Sequence, residues 1–130
     1  MKEIPSNRPF FPPRGEFNKL LDGIWEREWI TNQGELVTEI EKQMSDFLDV
    51  PHISFVSSGT TGLQLALKCL PNKGEIITTP FSYPATVHAI IQEGFTPVFA
   101  DILPGELTIN PELIDPLISP QTAGIMPVHV

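Results

Sequence analysis

The chain has 130 residues, 41% of them hydrophobic and 18% charged, which fits one globular domain of ordinary composition. Sixteen acidic against eight basic residues give a net charge of −8 with no run of Lys or Arg, which argues against nucleic acid or an anionic membrane surface as the main partner. A single cysteine excludes a disulfide within the chain, no apolar run approaches the ~18 residues of a membrane span, and the first residues open no signal peptide, so the expected compartment is cytoplasmic.

Proline is frequent, at 14 residues, and Pro5, Pro9, Pro12 and Pro13 make residues 1–15 an extended arm. Phe10 and Phe11 suit water poorly, so the arm is expected to pack on the domain or on a partner subunit. Phe17, Leu20, Leu21, Ile24 and Trp25 then repeat at helical spacing and predict an amphipathic helix. After a turn at Thr31-Asn32-Gln33-Gly34, a second helical stripe runs through Leu36, Val37, Ile40, Met44, Phe47 and Leu48 and ends near Pro51. Residues 16–51 are therefore read as two N-terminal helices.

From residue 52 the pattern changes. Apolar β-rich runs at Ile53–Val56, Glu75–Thr79, Thr96–Ala100 and Ala123–Val130 alternate with three helical segments. The first helix carries Leu63, Ala66, Leu67 and Leu70, with Cys69 expected as a buried, inert thiol. The second starts at Pro84 and stops at Gly94, a suitable C′ residue. Asn110 and Pro111 open the third, which Pro116 should shorten or kink. The reading is an α/β fold, β-α-β-α-β-α-β, with right-handed crossovers and a parallel sheet. Ligands on such sheets bind outside the carboxyl ends of the strands, an edge expected to hold Ser57–Thr61, Thr79–Tyr83 and Asp101. Residues 52–130 end on a strand with no covering helix after it, so an incomplete, truncated domain is expected.

Ser57-Ser58-Gly59-Thr60-Thr61-Gly62-Leu63 joins the first run to the first helix. Small residues at a helix N-terminus bring N–H groups together where the macrodipole favours an anion, and the hydroxyls of Ser58, Thr60 and Thr61 add donors. A phosphate suits this loop. The same residues also suit an ordinary serine N-cap and a glycine turn.

Other chemistries lack their signatures. There is no Gly-x-Gly-x-x-Gly, no Gly-x-x-x-x-Gly-Lys-[Ser/Thr], and no glycine two residues before Ser58 to make a nucleophile elbow. One cysteine with His52, His88 and His129 offers no metal-ligand spacing. His129, at a strand end, either faces the ligand edge or satisfies itself on backbone carbonyls, and His52 and His88 receive no role.

Several blocks in order resemble one family. They are Trp29-Ile30-Thr31 with Gly34 and Glu41, Ser57-Ser58-Gly59-Thr60, Gly74-Glu75-Ile76-Ile77, Pro80 to Thr86, Pro97 to Ile102, and Pro127-Val128-His129. Over residues 25–130 the chain is similar to the N-terminal third of a DegT/DnrJ/EryC1/StrS-type sugar aminotransferase, a pyridoxal 5'-phosphate enzyme of fold type I. The resemblance implies that Ser58, Gly59, Thr60 and Thr61 hold the cofactor phosphate and that Tyr83 stacks over the pyridine ring. Thr61 and Gly62 replace the small alanine-like residues usual after the Thr, which keeps close backbone approach possible. Read from the residues alone, Tyr83 is a half-buried loop tyrosine.

The resemblance further implies amino transfer to a nucleotide-linked keto-sugar from an amino donor, in a homodimer. The family's Schiff-base lysine and the aspartate paired with the pyridine nitrogen match no position here. Lys68 and Lys73 read as solvated surface lysines, and Asp101 as a structural or substrate-proximal residue. The chain alone is thus expected to be inactive. Two other readings stand beside this one: a dehydratase relative using the pyridoxamine form, and a non-catalytic phosphate-binding or interaction fragment.

Overall fold

A computed structural model describes residues 8–129, so residues 1–7 of the arm and Val130 of the last β-run lie outside the described residues. The chain divides into two compact units, one through Phe55 and the other from Val56.

The first unit contains the two expected helices, α1 (Arg14–Arg27) and α2 (Glu35–Leu48). Each ends on a left-handed residue, Glu28 (φ 52°) and Asp49 (φ 52°), whose amides return to Trp25 and Ser45 carbonyls. Arg27 Nε meets Glu35 Oε2 at 3.0 Å across the intervening turn. The apolar stripes are helical as expected, yet neither helix has a buried residue. Phe10 and Phe11 are 87% and 79% exposed, so the helices of their own unit do not cover this part of the arm. The run Ile53–Val56 takes no part in the sheet. A strand is stable only with a paired neighbour, and here the Phe55 N–H donates instead to Glu41 Oε1 at 2.8 Å.

The second unit holds α3 (Gly59–Lys68), β1 (Glu75–Thr78), α4 (Ala85–Gln92), β2 (Thr96–Phe99) and β3 (Thr122–Ile125). The strands form a parallel sheet in the order β2-β1-β3, with Ile76 opposite Pro97 on one side and Gly124 on the other. Thr96 N donates to the Gly74 carbonyl and Ala100 N to that of Thr78, so alternate residues of β2, including Pro97, turn their backbone outward. A proline is tolerated at such an edge position because the missing N–H breaks no ladder bond.

Successive β1 residues face opposite sides, and each side has its own cluster. Ile76 packs with Leu67, Ala89, Ile90 and Phe95 beneath α3 and α4. Ile77 packs with Ala100 and Ile109, joined by Ile114 and Leu117. Right-handedness accounts for the division. The path from β1 to β2 crosses by α4, whereas the path from β2 to β3 runs back across the sheet, so the same hand places its connection on the opposite face. That return path is not one helix but two short 3₁₀ turns, Pro111–Leu113 and Asp115–Leu117, which meet at Ile114, with Pro116 inside the second and the segment shortened as its sequence implies. Asn110 caps the first, its side chain accepting from Glu112 N at 3.0 Å.

α4 ends in a Schellman motif: Gly94 (φ 78°) donates to the Ile91 carbonyl and Phe95 to that of Ile90. α3 and α4 lie parallel. Gln64 Nε2 donates to Gln92 Oε1 at 2.9 Å, and Lys68 Nζ lies 3.6 Å from Glu93 Oε1 at their common C-terminal end. Lys73, two residues before β1, donates to the Glu93 carbonyl, which puts that end beside the starts of the strands. The N-termini of both helices therefore point to the edge where the strands finish. Cys69 departs from expectation. It is exposed, because it caps α3 away from the Leu63, Leu67 and Leu70 stripe.

Candidate active site

Two groups of residues occupy the edge at the carboxyl ends of the strands. The first is the start of α3. Ser58 is its N-cap, in extended conformation, and its Oγ accepts from Thr61 N at 3.2 Å. Thr61 Oγ1 lies 3.0 Å from Ser58 Oγ and 3.5 Å from Ser57 Oγ, and Gly62 N donates to the Ser58 carbonyl. The amides of Gly59 and Thr60 precede the helical ladder and need an outside partner. A methyl group placed on Gly59 would meet nothing within 4 Å, so the backbone there is open to approach. These residues fit a phosphate. The capping reading is realised by Ser58 Oγ and Thr61 N, and the amides of Gly59 and Thr60 are left over for an outside partner.

The second group is an open cleft of about 420 Å³ lined by Pro80, Phe81, Ser82, Tyr83, Val128 and His129. It lies between the carboxyl ends of the neighbouring strands β1 and β3. Tyr83 is 80% exposed rather than half-buried, so its ring is available to a ligand. His129 lines the same cleft. Ser58, Gly59, Thr60 and Thr61 do not line it. They share its edge of the unit through the parallel arrangement of α3 and α4 rather than its walls.

The loop beneath Tyr83 is held by hydroxyls that the sequence reading left without a role. Thr79 is fully buried and its Oγ1 accepts from Phe81 N at 3.2 Å. Ser82 and Thr86 place their hydroxyl oxygens 2.7 Å apart. Their spacing of four residues across a helix start was the available signal.

Asp101 uses its Oδ1 to accept from Ile102 N at 2.8 Å, while its carbonyl accepts from Asn110 N at 2.9 Å. That closes the loop after β2 and gives the carboxylate a structural task. Lys68 and Lys73 stand at the opposite edge of the sheet, engaged with Glu93. Among the described residues no cluster of three metal-ligating side chains occurs.

The model of the DegT/DnrJ/EryC1/StrS aminotransferase family matches residues 13–130. Over 128 residues the chain is 43% identical to dTDP-4-amino-4,6-dideoxy-D-glucose transaminase of Escherichia coli, covering 98% of this chain and 34% of that enzyme. Among solved structures it is similar to DesI in the presence of its TDP-sugar product, with a TM-score of 0.88, 33% identity and coverage of 94% and 31% of the two chains. It is also similar to NtdA of Bacillus subtilis with bound cofactor PMP, with a TM-score of 0.81, 29% identity and coverage of 99% and 32%. The chain thus spans about a third of the length of the relatives it matches.

Proposed function

The chain belongs to the DegT/DnrJ/EryC1/StrS aminotransferase family, and on that premise we propose that its parent protein aminates a keto-sugar carried on a nucleotide. The amino group comes from an amino-acid donor, which leaves as the 2-oxo acid, and the sugar carbonyl becomes an amine. Pyridoxal phosphate supplies the electron sink for both halves when bound. The observation that carries the reading is the joint placement of the small-residue start of α3 and the exposed Tyr83 ring at one edge of a parallel sheet.

Each residue then has a task. The amides of Gly59 and Thr60, with the hydroxyls of Ser58, Thr60 and Thr61, hold the cofactor phosphate at the positive end of α3. Tyr83 offers a flat apolar face that fixes the plane of the pyridine ring and keeps water from it. The lysine that anchors the cofactor and the carboxylate that pairs with its nitrogen come from other parts of the parent. Taken alone, these 130 residues lack that lysine and are expected to be inactive.

A homodimer in the cytoplasm is the setting that fits best. The exposed Phe10 and Phe11 support contact with a second copy, and the charge of −8 speaks against a nucleic-acid partner. Among the described residues no helix is long and apolar enough to cross a membrane.

The test is to incubate the full-length protein with a nucleotide-linked 4-keto-6-deoxy sugar and glutamate, then weigh the product. An amino-sugar with equimolar 2-oxoglutarate is expected. A sugar that has lost a hydroxyl instead identifies a dehydratase, and an unchanged sugar with no cofactor bound leaves a binding module.

A further inference from the structure

Tyr83 is four-fifths exposed, so packing does not set its position; hydrogen bonds from its own loop do. Its carbonyl accepts from Thr86 N at 3.2 Å and from Ser82 Oγ at 3.1 Å. Ser82 N donates to the Pro80 carbonyl at 3.0 Å, and Phe81 N to the buried Thr79 Oγ1. Ser82 Oγ and Thr86 Oγ1 are 2.7 Å apart.

One direction of that last bond satisfies both contacts of Ser82. A serine hydroxyl has one proton, and with that of Ser82 given to the Tyr83 carbonyl, the Thr86 hydroxyl is the donor in the Ser82–Thr86 pair. The result is a closed relay: Thr86 O–H to Ser82 O–H to the Tyr83 carbonyl, with Thr86 N–H returning to the same carbonyl. Thr86 is 7% exposed on α4, within a rigid helix that also carries the buried Ala89 and Ile90. It anchors the loop to the packed face of the sheet.

We infer that Thr86 is a positioning residue for Tyr83, acting through Ser82, and that this relay sets the plane in which a bound ring stacks. The inference rests on the reading of Tyr83 as the ring-stacking residue. It assigns Thr86 no contact with the cofactor. Removing the Thr86 hydroxyl leaves Ser82 O–H without its donor and frees it to turn, so the Tyr83 backbone loses one of its two fixed restraints.

The test uses the full-length protein loaded with pyridoxal phosphate, reading the visible circular dichroism of the bound cofactor and its dissociation constant. Thr86→Val keeps the shape and removes the hydroxyl. It is expected to diminish the dichroism and weaken binding about tenfold, and Thr86→Ser should restore both. Tyr83→Ala should do at least as much damage as Thr86→Val. Should Tyr83→Ala change the signal while Thr86→Val leaves it intact, the relay is wrong and the stacking reading survives. An unaltered signal in Tyr83→Ala removes the stacking reading itself, and the relay with it. A Thr86→Val loss that Thr86→Ser does not restore marks lost packing and overturns the relay. If Thr86→Val does not fold, Ser82→Ala interrupts the same relay at its middle hydroxyl, and an unchanged signal there is equally decisive against it.

Discussion

Ser58 caps α3 with the same few atoms that the proposed function gives to a phosphate, and the two uses separate by substitution. Its Oγ satisfies Thr61 N, so Ser58→Ala should cost about 1 kcal/mol of stability as well as a hydroxyl for phosphate. Aspartate is as good an N-cap as serine, but its charge repels a phosphate a few ångströms away. Ser58→Asp in the full-length protein is therefore expected to keep the denaturation midpoint while weakening pyridoxal phosphate by more than about tenfold. Equal binding by Ser58→Asp and the parent would mean that no phosphate sits at this helix start. Gly59→Ala asks the same question of the backbone. The added methyl meets no protein atom and suits a helix, so stability should hold or rise by about 0.5 kcal/mol. Any fall in cofactor affinity, followed by quenching of protein fluorescence, then reports a clash with the ligand alone.

At the scale of elements, two glycines carry the architecture for different reasons. A Cβ on Gly74 would run into the Gln121 carbonyl oxygen, to which Glu75 N donates at 2.8 Å. Gly74→Ala must push β1 from β3 at the start of the ladder, and a loss of about 3 kcal/mol in urea unfolding is expected. Gly94→Ala meets no atom but forces a side chain to φ 78°, so about 1 kcal/mol suffices there. A smaller effect at Gly74 than at Gly94 would show that the close approach of the strands is not obligatory. These positions also show what local sequence signals can and cannot carry. The C′ glycine of α4, the Asn110 cap and the shortening of the Pro116 segment were all legible, because caps and breakers act within one turn. Ile53–Val56 read as a strand by composition yet takes no part in the sheet, since strand formation depends on a partner that the run itself does not contain. The Ser58 cap at the start of α3 was legible for the same reason as the other caps. The cleft was not: Tyr83 and His129 line it together only because β1 and β3 are neighbours, which periodicity does not reveal. Cys69 was misjudged because apolar surroundings in sequence do not say which side of a helix end faces the core.

Across the whole second unit, the parallel sheet separates two edges with different chemistry. The strands finish at Tyr83, His129 and the start of α3, and they begin beside Lys73, with Lys68 at the adjoining helix end. Four strand residues span about 13 Å, roughly twice the reach of a lysine side chain. Both amines are also occupied. Lys68 Nζ pairs with Glu93 Oε1 at 3.6 Å, and Lys73 Nζ donates to the Glu93 carbonyl while standing 4.3 Å from the centre of the Phe95 ring. Neither can bring its amine to a ring stacked on Tyr83. The 130-residue chain, mixed with pyridoxal phosphate and reduced with borohydride, is therefore expected to show no stoichiometric label at Lys68 or Lys73 when its peptides are weighed. The full-length protein treated alike should carry one label, on a lysine outside these residues. A stoichiometric label on Lys68 or Lys73 would require the chain to bend its two edges together. That would remove the proposed division of labour, in which this unit holds the phosphate and the ring plane while the rest of the protein supplies the covalent anchor.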